Sequence, residues 1–249
     1  MAKPFGFCIV RNVQTETSNE FWKECYRCIR VLYTDPILIF DTGSKSEFVD
    51  TIPLDNATIQ VAEKPNKALF GAYQYLLQQK PFEKVVVLHD SAFLKKRIPF
   101  DKVNTVKFLW HFQHPYDNVL FELRLLSHLP DTSTMIQYYD LKEMWKGCFG
   151  SMSCITLSIL EKLEKKYKFS SLDAGIQCWD DWLAFERIFA LLCTLEEPGL
   201  IEDPSLLGDI HKYNLPIGFS YDLYKQKMYS PKLPLVKVWS TRKEASTSS

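Results

Sequence analysis

The stretch KVVVLHD (84–90) decides the fold. Its middle residues are apolar without a break, the pattern of a strand covered on both faces. Upstream of it, NKALFGAYQYLLQQ (66–79) reads as a helix, TIQVA (58–62) as a strand and PILIF (36–40) as another. Nearer the start, PFGFCIV (4–10) is rich in strand formers, and Phe21, Trp22, Cys25, Cys28, Ile29 and Leu32 follow helical spacing. A capping box between Thr17 and Glu20 is expected to open that helix. The order is strand, helix, strand, strand, helix, strand. It predicts an α/β fold with a mostly parallel sheet flanked by helices.

In such sheets ligands bind beyond the carboxyl ends of the strands. Arg11, Asn12, Asp41, Ser44, Glu63, His89, Asp90 and Ser91 all fall at or just past predicted strand ends. That convergence of polar groups is the main sequence evidence for a site.

The second half is more mixed. VKFLWHF (106–112) is expected as a strand, 116–128 as a helix, and WKGCFGSMSCI (145–155) as a strand-like run with two glycines. LSILEKLEKKYK (157–168) and WDDWLAFERIFALLCTL (179–195) are expected helices, followed by a loop-rich tail. No linker, repeat or low-complexity block interrupts the chain. One domain over 1–240 is expected, with a disordered polar tail at 241–249.

Composition narrows the function classes. The 249 residues carry 30 Lys plus Arg against 30 Asp plus Glu, so no general field steers the protein onto nucleic acid. Nine glycines in the chain argue against a many-turned all-β fold. Seven cysteines, mostly in apolar runs, read as reduced thiols of a cytoplasmic protein. Cys25 and Cys28 form the one tight pair, and no second pair or nearby His completes a zinc site. No secretory signal and no transmembrane segment are expected.

ILIFDTGSK (37–45) contains Asp-Thr-Gly-Ser, as in the catalytic loop of an aspartic protease. Such an enzyme needs two carboxylates sharing one proton. The chain has one such loop, set within an alternating α/β pattern, and the protease reading fails.

The same turn resembles the Asp-Asp-Gly-Ser turn after the second strand of GT-A glycosyltransferases of the family 2 type. VVVLHDSAFL (85–94) is similar to the buried strand that ends in their Asp-x-Asp motif. The order of FCIVRNV, FWKECYRCIRVLY, ILIFDTGS, VVVLHDSAFL, KFLWHFQH, WKGCFGSMSCI, FERIFALLC and GDIHKY resembles a group of uncharacterised GT-A-like proteins of large DNA viruses, algae and protists. The likeness spans roughly 5–225. It implies hexosyl transfer from a nucleotide diphosphate sugar to a hydroxyl on a glycan or protein acceptor, in the cytoplasm (the host's, if viral).

By that resemblance Asp41, with Ser44 beside it, would meet the donor's base or ribose, and Arg11 the base or the diphosphate. His89, Asp90 and Ser91 would replace the Asp-x-Asp motif. Asp90 and His211 would hold Mn²⁺ or Mg²⁺, hard cations suited to a diphosphate on oxygen ligands. Glu186, or Asp180 and Asp181 before it, would match the general base that activates the acceptor hydroxyl.

The sequence departs from the pattern at two points. The strand end has one carboxylate where the motif has two, and Lys67-Ala68 stands where relatives carry Gly-Glu. A non-catalytic GT-A-like module that binds nucleotide or glycan, or scaffolds a partner, is therefore the alternative. A nucleotidyltransferase ranks lower, because VRNVQTETSN (10–19) lacks the Gly expected of a phosphate loop. Local alternatives stay open too: Asp41 as turn chemistry, Asp180 and Asp181 as the start of a helix, and Glu186 in an ion pair with Arg187. Trp145, Phe149 and Trp179 are expected in the core, and His111 and His114 are given no role.

Overall fold

The computed structural model describes residues 2–64, 67–114 and 117–239. The polar tail at 241–249 lies outside the described residues. In chain order the elements are β1 (Gly6–Arg11), α1 (Glu16–Leu32), β2 (Ile37–Asp41), β3 (Ala57–Val61), α2 (Ala68–Gln79), β4 (Lys84–His89), β5 (Ala92–Leu94), β6 (Val106–Phe108) and β7 (His111–Phe112). Then come α3 (Val119–Leu126), α4 (Thr132–Asp140), β8 (Gly147–Cys148), β9 (Ser153–Thr156), α5 (Leu157–Tyr167), α6 (Trp179–Glu196), α7 (Tyr221–Lys225) and β10 (Leu235–Lys237).

The main sheet has the order β3-β2-β1-β4-β9-β6. Its first four strands are parallel, while β9 runs antiparallel to both β4 and β6. The fold is mixed α/β with a mostly parallel central sheet flanked by helices. The central strands β1 and β2 are buried along their whole length, as unbroken apolar runs require. The chain steps from β1 to β2 to β3 in one direction and returns to place β4 on the other side of β1. Right-handed crossovers then put α1 and α2 on opposite faces. They also make the β1/β4 boundary the topological switch point, the place beside which open α/β sheets bind ligands.

Several local expectations need correction. The first helix starts two residues earlier than the sequence suggested. Thr15 and Ser18 form the capping box, with Ser18 N donating to Thr15 Oγ1 at 3.2 Å and Thr15 N to Ser18 Oγ at 2.9 Å. Glu20 instead pairs with Lys23, a buried residue one turn on. VKFLWHF is not one strand: β6 pairs with β9, and β7 pairs with β8 in a separate ribbon. The break follows from Gly150, whose φ of +61° turns the chain sharply between β8 and β9. The C-terminal region is not only loops, since β10 pairs antiparallel with β5.

Cys25 and Cys28 are buried on α1, and burial pushes both thiols up, that of Cys28 to about 11. Such thiols are inert packing groups. Cys178, by contrast, is exposed. No helix among the described residues is long and apolar enough to cross a membrane.

Candidate functional site

The carboxyl ends of β2, β1 and β4 carry a continuous polar chain. Arg11, at the end of β1, donates from Nε to Asp41 Oδ2 at 2.6 Å, and both residues are buried. The other oxygen of Asp41 accepts the amides of Gly43 at 3.0 Å and Ser44 at 2.8 Å. Gly43 has φ of +113°, a conformation that favours glycine, and this closes the turn. Ser44 Oγ accepts the Val13 amide at 2.8 Å, tying the turn back to the β1 exit. Burial pushes the Asp41 carboxyl up, but the Ser44 and Gly43 bonds and the Arg11 charge outweigh it and hold the group below the usual carboxylate range. Asp41 and Ser44 thus already have internal partners, and they position Arg11.

On the other side of β1, the Asn12 amide donates to Asp90 Oδ2 at 3.0 Å. Asp90 is half-buried, and desolvation raises its carboxyl above the ordinary value. The Asn12 amide, Lys237 and Arg11 oppose that rise. Ser91 is buried, and its hydroxyl accepts from the ammonium of Lys237 at 2.6 Å. The structure therefore brings Arg11, Asp41, Ser44, Asp90 and Ser91 together along the strand ends.

His89 and Glu186 form a second group. His89 Nε2 donates to the Gly150 carbonyl at 3.0 Å, and burial drives its pKa down to about 3, so the ring is neutral. Glu186, on α6, accepts the Gly150 amide. Burial raises the Glu186 carboxyl to about 7, and the Gly150 bond, Arg187 and Lys237 offset only part of that rise. One glycine in a strained turn thus orients both side chains. A cavity of about 80 Å³ is lined by His89 and Glu186 with Phe70, Trp179, Trp182 and Phe185 around them. Trp179 is 59% exposed, against the expectation of a core residue, because it opens α6 at the surface. Trp145 does lie in the core, and Phe149 is half-buried. Lys67 also lines the cavity, its ammonium tied to the carbonyls of Asp173 and Ile176 at 2.6 and 2.5 Å.

The remaining candidates, Asp181 and His211, have partners of their own. Asp181 is fully buried and accepts the amides of Gln177 and Cys178, both at 2.9 Å, and the Arg124 guanidinium. It caps α6, and its acidity is that of an N-terminal capping carboxylate. Asp180, beside it, is half-buried. Glu186 and Arg187 do not pair with each other as ions: Arg187 Nε reaches Asp117 at 2.6 Å and Glu122 at 3.1 Å. His211 is exposed on a short turn, with its amide on Asp209 Oδ1 at 2.9 Å.

The donor set does not fit a divalent cation. Among the described residues no group of three or more His, Cys, Asp or Glu converges to hold a metal. Asp90, at the strand ends, and His211, on its exposed turn, belong to no such group. An ammonium, that of Lys237, lies within electrostatic reach of Asp90 instead.

The sequence reading missed Lys237 and Gly150. Lys237 had a signal, as the one charge inside the apolar run LPLVKVW (233–239). The role of Gly150 had none beyond its residue type.

No protein-family model matches the chain, and no curated protein matches it in sequence. Among solved structures, the galactosyltransferase LgtC, in complex with donor and acceptor sugar analogues, aligns with a TM-score of 0.41 and 9% identity over 74% of this chain and 70% of that one.

Proposed function

We propose that this protein is a GT-A-type glycosyltransferase. It moves a hexosyl group from a nucleotide diphosphate sugar to a hydroxyl on a glycan or protein acceptor. The observation that carries this reading is Glu186. It is a carboxylate held at the wall of a cavity by the Gly150 amide, with a pKa raised to about 7. A general base works best when its pKa lies near the working pH.

The donor lies across the switch point, over the ends of β1 and β4, where Arg11, Asn12, Asp90 and Ser91 converge. The acceptor reaches the cavity past Trp179, whose exposed ring offers an apolar face to a sugar. As the acceptor oxygen bonds to the anomeric carbon, its proton passes to Glu186. The anomeric carbon–oxygen bond to phosphate breaks, and the diphosphate leaves with the electron pair. Neutral His89 shares Gly150 with Glu186 and keeps that wall of the cavity rigid.

The second reading is a non-catalytic module of the same fold. It is favoured by Asp41, whose two oxygens already have internal partners, and by the missing metal ligand set. Calorimetric titration with a panel of nucleotide diphosphate sugars separates the readings. The expected result is binding of one donor, its slow turnover to free nucleoside diphosphate, and donor binding without turnover in Glu186→Gln. Folded protein that binds no donor sinks the transferase reading and leaves the module.

A further inference from the structure

A donor diphosphate brings two negative charges into a site whose residues do not fit a divalent cation. A side-chain cation stands in that neighbourhood. Lys237 ends β10, and the pairing with β5 sets it opposite Ala92, two residues past Asp90. The residue is 6% exposed. Its ammonium donates to Ser91 Oγ at 2.6 Å and to the Val238 carbonyl at 2.7 Å, and lies 5.3 Å from the centroid of the Trp239 ring.

These partners are neutral. Burying a lysine is costly unless its charge has a use or a counter-ion. Among the described residues no carboxylate makes a salt bridge with this ammonium at 4.0 Å or less; Asp90 and Glu186 act on it from further away. An ammonium has three donors, and the bonds to Ser91 and Val238 use two of them. One donor is left for a ligand. Arg11, another buried cation at these strand ends, has a similar surplus: its Nη1 is buried and has no hydrogen-bond partner. Arg11 stands at the end of β1 and Lys237 beside the end of β4, so the two cations flank the switch point. Buried donors left over in a folded protein call for an explanation, and an anionic ligand supplies one.

We propose that Lys237 is the fixed cation that meets the donor's diphosphate, so that this site binds a nucleoside diphosphate without a divalent metal. The inference rests on the donor site of the preceding reading. A preorganised charge in a site shielded from water stabilises a leaving group without reorganising during the reaction. Ser91 and Val238 hold the ammonium in place, and Arg11 adds a guanidinium whose planar donors suit phosphate oxygens.

The test is calorimetric titration of the full chain with uridine, guanosine, adenosine and cytidine diphosphates, once with EDTA and once with Mn²⁺. The variants are Lys237→Met, Lys237→Gln and, as a surface control, Lys96→Met. Lys237→Met is expected to fold, since an apolar side chain replaces a buried charge. The expected result is binding of one diphosphate at equal affinity in EDTA and Mn²⁺. That binding weakens by about tenfold or more in both Lys237 variants and is unchanged in Lys96→Met. Binding that appears only with Mn²⁺ overturns the inference while the donor reading survives. So does unchanged binding in a folded Lys237 variant. Binding in neither condition overturns both. The metal comparison needs only the wild-type chain, so a variant that fails to fold does not decide the outcome.

Discussion

Two acidic residues at the same end of the molecule have opposite fates. Asp41 is bonded on both oxygens, to two amides and a guanidinium, and its acidity is strengthened. Glu186 accepts the Gly150 amide beside a cavity, and its acidity is weakened to about 7. Asp41 is buried and Glu186 half-buried. The difference lies in how many donors the fold supplies, because burial alone pushes a carboxyl up and each hydrogen bond or cation pulls it back. A carboxylate with all its donors holds structure together. One with too few is poised to take a proton.

The largest expected effect tests the Glu186 side of this contrast. Glu186→Gln should lower transfer by about two to four orders of magnitude while leaving donor affinity unchanged, measured by steady-state turnover and calorimetry. In the wild type, activity should rise with pH through about 7 as the carboxylate forms, and that limb should be missing in the variant. Stability moves the other way. Between about 4.5 and 7 the folded chain holds a proton on Glu186 that the unfolded chain has released, so raising the pH through that window costs stability. Denaturation midpoints taken across the window should fall less steeply in Glu186→Gln. An identical slope would mean that Glu186 is ionised throughout.

Asp41→Ala comes next. It strands the Arg11 guanidinium and two amides, and should cost about 3–5 kcal/mol in urea denaturation. A loss under about 1 kcal/mol would show that water already serves the turn and would erase the contrast. Asp181→Ala removes the α6 cap and should cost about 1–2 kcal/mol, with the activity of the surviving folded protein intact. A catalytic defect beyond that loss would place Asp181 back among the reacting groups. The smallest effect on stability is expected for Trp179→Ala, within about 0.5 kcal/mol. It should still raise KM for a sugar acceptor several-fold at unchanged donor affinity, and an unchanged KM would move the acceptor away from that ring.

Much of the frame was legible in the sequence. Unbroken apolar runs such as VVVL and ILIF identified the buried strands, since only a strand covered on both faces tolerates them. The polar residues past the strands could be placed together at one end of the sheet. Asp41 and Asp90 were both found this way, yet sequence could not distinguish a filled carboxylate from an unfilled one. Trp179 was misjudged because an apolar helix looks buried all round, whereas this residue opens it at the surface. The capping box shifted from Thr17 to Thr15 because neighbouring polar residues offer competing caps.

The sequence by itself determined the alternation of strands and helices, the parallel core, and the set of polar groups gathered past the strand ends. These follow from local periodicity and from how the chain must cross between parallel strands. Only the tertiary structure decided that Asp41 is internally satisfied and that Asp181 is a cap. It also decided that Gly150 joins His89 to Glu186, and that Lys237 arrives beside Ser91 from the far end of the chain. The physical reason is that a side chain's charge state depends on the donors and solvent around it, and those come from segments distant in sequence.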